Sequence, residues 1–112
     1  MKDVRKEVYQ ALDGALSYPV HFLSPPAGAQ EPCVSFFELN NADALFADDE
    51  PQCSSITYAV DLWSAKAGEI PALAQMVDAA MQSIGFARIS AQDLPPDEAG
   101  LYHKNMQYAM LA

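Results

Sequence analysis

The residues able to do chemistry in this chain are few and far apart. Its histidines, His21 and His103, and its cysteines, Cys33 and Cys53, are the ligand types a transition metal would need. Zinc sites draw such residues from short fixed spacings, because one turn or helix must present two ligands together. None of these four stands at such a spacing, so no metal is expected. His21 and His103 read instead as surface or interface residues on separate strands. The cysteines form neither a CxxC motif nor a disulfide scaffold. They read as free thiols, one or both half-buried, with a Cys33–Cys53 bridge between neighbouring strands as the alternative. Carboxylates cluster at Asp48-Asp49-Glu50 and at Asp97-Glu98. Acid–base catalysis needs such groups held beside a nucleophile or a proton partner. Both clusters adjoin proline in loop-like sequence, have no such partner nearby, and read as solvated turn tips. The chain contains no GxSxG, P-loop, GxGxxG or HExxH motif. The expectation is a protein without enzymatic activity, catalytic residues or cofactor. Trp63, the one tryptophan, is either a core or sheet-face residue or an interface anchor of the kind tryptophan often provides.

The elements that must position these residues follow from periodicity. Val4, Val8, Ala11, Leu12 and Ala15 fall at helical spacing, with Asp3 favouring the positive end of the helix dipole, so a helix is predicted from about residue 2 to 16. Tyr18–Leu23 reads as a short strand, and the segment 24–32, with Pro25, Pro26, Gly28 and Pro32, as a loop. Cys33–Asn40 is predicted as a strand, Asn40–Asp43 as a turn, and Asp48–Pro51 as the charged tip of a hairpin. Ser54–Ser64 is the clearest strand: Ile56, Tyr58, Val60 and Leu62 alternate with Thr57, Ala59, Asp61 and Trp63. Asp61 and Trp63 therefore share the face opposite the aliphatic one. Gly68–Gly85 is the clearest helix, with Pro71 in its first turn, an apolar stripe from Ile70 to Ile84, and Gly85 as a left-handed cap. A strand starts at Phe86–Ser90, a loop runs from Asp93 to Gly100, and Leu101–Leu111 is the last strand. The order α-β-β-β-α-β-β predicts an α+β fold: a two-layer sandwich, mainly antiparallel, with two helices on one face of the sheet.

Composition narrows the function. A chain of 112 residues, 51% hydrophobic, suits one domain spanning 1–112 with a single modest core. The net charge of −9 leaves no basic patch for gripping phosphate. The MKDVRKEVYQ start reads as a helix, not a signal peptide, and no apolar run approaches the length of a membrane span. A soluble protein made in the cytoplasm is expected.

Three segments carry a family resemblance. The first is the N-terminal helix leading to Tyr18-Pro-Val20 and, after the proline-rich loop, Glu31-Pro-Cys-Val-Ser-Phe-Phe37. The second is Ile56-Thr-Tyr-Ala-Val-Asp-Leu-Trp-Ser64 with the helix that follows. The third is Gly85-Phe-Ala-Arg-Ile-Ser90, Asp93-Leu94 and Gly100-Leu-Tyr-His-Lys-Asn-Met-Gln-Tyr108. Together they resemble the tail-completion and tail-terminator (head–tail joining) proteins of long-tailed bacteriophages and prophages. The most specific pieces are Val60-Asp-Leu-Trp-Ser64 and Tyr102-His-Lys104.

The resemblance implies a structural virion protein of the tail, made in the host bacterial cytoplasm. Such a protein forms a ring with itself, commonly a hexamer, at the head-proximal end of the tail tube. It stops tube polymerisation and offers a surface to the head connector, while DNA passes through without specific binding and no membrane is involved. The candidate interface residues are Trp63 and Asp61 on the sheet face and Asp48, Asp49, Glu50, Asp97 and Glu98 in the loops. The alternatives are a head–tail connector or stopper subunit, and a small ligand-binding α+β domain that would show a pocket and form a dimer.

Overall fold

A computed structural model describes residues 2–47 and 50–112. The expected order of elements is found: α1 (Arg5–Ala15), β1 (Val20–Phe22), β2 (Cys33–Ala47), β3 (Glu50–Ser64), α2 (Ile70–Ser83), β4 (Ala87–Leu94) and β5 (Tyr102–Leu111), with one 3-10 turn at Ala67–Glu69 leading into α2. The five strands form one sheet in the order β1-β2-β3-β5-β4. Only the β1–β2 pair is parallel; the other three are antiparallel. Both helices bury their apolar stripes against one face of this sheet, so the fold is α+β in two layers.

Alternation along β3 decides which face that is. Ile56, Tyr58, Val60 and Leu62 are all buried, together with Val34 and Phe36 of β2 and Met106 and Tyr108 of β5. Val8 and Leu12 of α1 close the layer from above, as do Leu73, Val77 and Met81 of α2. Each such aliphatic side chain contributes roughly 1.5–3 kcal/mol by leaving water. Phe36 and Tyr58 stack at 6.3 Å, and Phe86 meets Tyr58 edge-on at 5.8 Å, so aromatic contacts run through the middle of the core.

Element ends depart from the periodicity for local reasons. Helix α1 starts at Arg5, not residue 2, because Asp3 sits outside it and its Oδ1 accepts the Arg5 N–H at 3.0 Å. Helix α2 ends at Ser83, and Gly85, with φ +96°, takes the left-handed capping position expected of it. The Phe86 N–H reaches Met81 O at 3.0 Å and the Gly85 N–H reaches Gln82 O at 3.1 Å, the double bond pattern of a Schellman cap. Strand β1 stops at Phe22 because Leu23 has φ +71° and Ser24 N–H bonds Phe22 O at 2.9 Å, a γ-turn that takes the chain out of the sheet.

The expected turn at Asn40–Asp43 is overturned. Strand β2 runs through it to Ala47, with a bulge between Glu38 and Asn40. Asn41 does not turn the backbone; its side-chain amide instead donates to Lys2 O at 2.7 Å and to Glu38 Oε1 at 2.9 Å, tying down the N-terminus. Strand β4 likewise extends past Ser90 to Leu94, because Asp93 pairs with Lys104 in backbone register and through a 3.1 Å side-chain contact.

The β2–β3 hairpin outreaches its neighbours. β5 follows β3 only as far as Ser55, and Ala112 exchanges two backbone bonds with Ser54. Beyond that the two strands continue alone to the Ala47–Glu50 pair. This arm gives the molecule its 52 Å length against 26 and 23 Å across.

Candidate functional site

The face of the sheet away from the helices carries a polar row. His21, Ser35, Asp61, Asn105 and Gln92 lie side by side across all five strands. The row beside it contains Cys33, Trp63, His103 and Leu94. Such a face exists because β3 and β5 alternate: the residues between the core positions must point here.

The two rows are joined by side chains. The indole of Trp63 lies flat on the His103 ring, with centroids 3.8 Å apart and planes 12° from parallel. Trp63 Nε1–H donates to the buried Ser35 Oγ at 3.1 Å. His103 Nε2 lies 2.7 Å from Asp61 Oδ1, and Asn105 Nδ2 donates to the same oxygen at 2.9 Å. Gln107 Nε2 donates in turn to Asn105 Oδ1 at 3.2 Å. Asp61 is only 7% exposed. Its carboxylate is held by His103 and Asn105, and the His103 ring it contacts is the one stacked on Trp63. His21 Nε2 is buried and has no hydrogen-bond partner among the described residues.

A cleft of about 480 Å³ adjoins Trp63, between the proline-rich loop and the 97–101 turn. Pro25, Pro26, Trp63 and Leu101 supply apolar walls, with Glu31 and Asp97 among the polar lining residues. Asp97 shapes its own turn: its Oδ1 accepts Leu101 N–H at 2.9 Å, and Gly100, at φ +82°, bonds Asp97 O. Cys33 lies beneath the cleft, where burial first and Glu31 second push its thiol up from the usual cysteine range. A thiol held protonated in this way is a poor nucleophile.

The sequence-predicted candidates therefore separate into two groups. Trp63, Asp61 and Asp97 converge at one end of the sheet, with exposed Glu98 beside them. Glu50 opens β3 at the far end of the hairpin, thirteen residues from Trp63 along one strand, or roughly 43 Å at strand spacing. Asp48 and Asp49 lie outside the described residues. His21 and His103 sit on β1 and β5, separated by β2 and β3. The Cys33–Cys53 bridge is overturned. Cys33 is opposite Trp63, whereas Cys53 is ten residues further along β3, about 33 Å away at strand spacing, and both thiols are free. Among the described residues, no three His, Cys, Asp or Glu side chains come close enough to share a metal ion.

Sequence reasoning missed the partners of Asp61. His103 and Asn105 come from β5, and Ser35, the register neighbour of Asp61, from β2; only the cross-strand register brings them together. It also missed a second constellation on the helix side. Tyr108 donates its hydroxyl to Asp78 Oδ1 at 2.5 Å, and Arg88 NH1 holds Asp78 Oδ2 at 2.7 Å. This ties α2 to β5 and to the edge strand β4.

No family model matches the chain, and no curated protein matches it in sequence. Among solved structures, a chain from the virion of a native gene transfer agent particle superposes with a TM-score of 0.73. The match covers 93% of this chain and 90% of that one, at 17% sequence identity. This chain shares its fold with a component of a gene transfer agent virion. At that identity the likeness is one of architecture.

Proposed function

We propose that the chain is a structural, non-enzymatic virion protein that caps the head-proximal end of a phage tail tube, stops its polymerisation and joins tail to head. The observation that carries this reading is the near-complete fold likeness to a gene transfer agent virion chain. The independent sequence resemblance to tail-terminator proteins supports it. In this reading the subunits form a ring, commonly a hexamer, through which DNA passes. The charge of −9 suits that role, because a lumen that must release DNA has no use for a phosphate-gripping surface. The partners are further copies of the chain, the tail tube protein and the head connector protein. Trp63 and Asp97, with Asp61 behind them, form the proposed contact surface at one end of the sheet, and Asp48, Asp49 and Glu50 are further proposed contact residues.

Deleting the gene from an inducible prophage that carries it, and imaging the lysate by electron microscopy, tests this. DNA-filled heads beside unattached tails, some overlong, are expected. Detached tails of normal length would transfer the reading to a connector or stopper subunit, and intact phage would reject a structural role.

A further inference from the structure

The two edges of the sheet carry matching irregularities at the same height. Glu38, Tyr58, Tyr108 and Arg88 form one cross-strand row, with Glu38 at the β2 edge and Arg88 at the β4 edge. Immediately after each of these two residues the register shifts, between Glu38 and Asn40 on β2 and between Arg88 and Ser90 on β4. The residues left unpaired are Leu39 and Ile89, which are 44% and 58% exposed. A bulge re-aims a side chain and blocks simple strand addition, and here both bulges present a large aliphatic group to solvent. The β2 edge is open at this point because β1 covers it only as far as Phe36, before the Leu23 turn carries the chain away.

We propose that neighbouring copies of this chain associate head-to-tail, the Glu38–Leu39 bulge of one copy packing against the Arg88–Ile89 bulge of the next. The inference rests on the ring reading above and gives that ring its contact. Charge selects the pairing: the acidic edge meets the basic edge, whereas two-fold association of like edges would oppose Glu38 to Glu38 or Arg88 to Arg88. A closed ring needs two different complementary patches of this kind on each subunit. Strand direction agrees, since β2 and β5 run one way and β3 and β4 the other. A β4 edge facing the β2 edge of a copy rotated about an axis along the strands continues the antiparallel alternation. Glu38 and Arg88 already hold Asn41 and Asp78. The second carboxylate oxygen and the remaining guanidinium N–H groups are left for the neighbour.

Three full-length variants test this by sedimentation equilibrium up to about 1 mM subunit, the range where weak contacts register. Leu39→Lys and Ile89→Glu should each weaken self-association about tenfold or more, as loss of a central interface side chain does. The combined variant Leu39→Lys/Ile89→Glu should recover to within about threefold of wild type, because the new lysine meets the new glutamate across the contact. Circular dichroism and melting curves of all three should match wild type, since both positions are exposed. A wild-type chain that stays monomeric throughout, single variants that associate like wild type, or a combined variant weaker than either single one would overturn the proposal. Mass spectrometry of purified phage particles separates this failure from that of the function. A wild-type chain absent from particles rejects the virion role, and single variants incorporated at wild-type levels reject the edge contact alone.

Discussion

At the scale of single residues, the buried hydroxyls set how the protein responds to alkali. Burial first, and Glu38 and Asp3 after it, push the Tyr58 hydroxyl up to about 12. Tyr108 is raised as well, by burial and then by its bond to Asp78. An unfolded tyrosine ionises near pH 10, so above that value the unfolded chain gives up protons that the native chain keeps. Stability is therefore full below about pH 10 and falls as pH rises, for Tyr58 until about pH 12. Urea melts at pH 9 and pH 11 should show this loss, and Tyr58→Phe should remove one proton's share of it. Trp63 calls for a different experiment. It is outside the apolar core cluster, and its partners His103 and Ser35 are on the opposite face. Trp63→Ala should cost about 1–2 kcal/mol from the lost stack and the unpartnered Ser35 hydroxyl. The monomer should stay folded by circular dichroism, while incorporation into particles drops. A variant that fails to fold would assign Trp63 to the scaffold instead.

At the scale of elements, the caps and bulges do what the hydrophobic pattern does not. Gly85 holds φ +96° with open space where a side chain would project, so Gly85→Ala tests the backbone alone. A loss of about 1–2 kcal/mol in chemical denaturation is expected, with no change in the native spectrum. This cap was legible in the sequence because a glycine at the end of a periodic stripe has one common use. The reach of β2 was not legible. Asn40, Asn41 and Asp43 are turn formers by composition, but a bulge and the amide bonds of Asn41 absorb them into a strand. The same holds for Asp93, whose partner Lys104 is eleven residues on and arrives only by pairing.

At the scale of the whole molecule, the lone hairpin arm dominates the shape. The radius of gyration is 15.0 Å, against roughly 13 Å expected for a chain of this length packed evenly. Among the described residues, the arm beyond Ser54 supplies none of the core cluster. Replacing residues 44–52 with an Asn-Gly turn should leave the melting midpoint of the sheet and helices within a few degrees of wild type. Small-angle scattering should then give a radius near the lower value, about 13 Å. If the shortened chain loses its cooperative transition, the arm is part of the folding unit. If it folds but no longer enters particles, the arm belongs to the assembly surface.

The sequence by itself determined the order of the elements, the class of the fold and the two faces of the sheet. Those rest on local periodicity: a period near 3.6 for the Ile70–Ile84 stripe and a period of two for Ile56–Trp63. It also determined the acidic character that argues against gripping DNA. Tertiary structure alone decided the register, and with it every constellation on the surface. Asp61 meets His103 and Asn105 across more than forty residues of chain. Glu38 and Arg88 share a row because two intervening strands align them. A one-residue slip in any of those pairings would turn the strand's side chains to the other face, and nothing local to one strand specifies against it. The packing of both helices on a single face does.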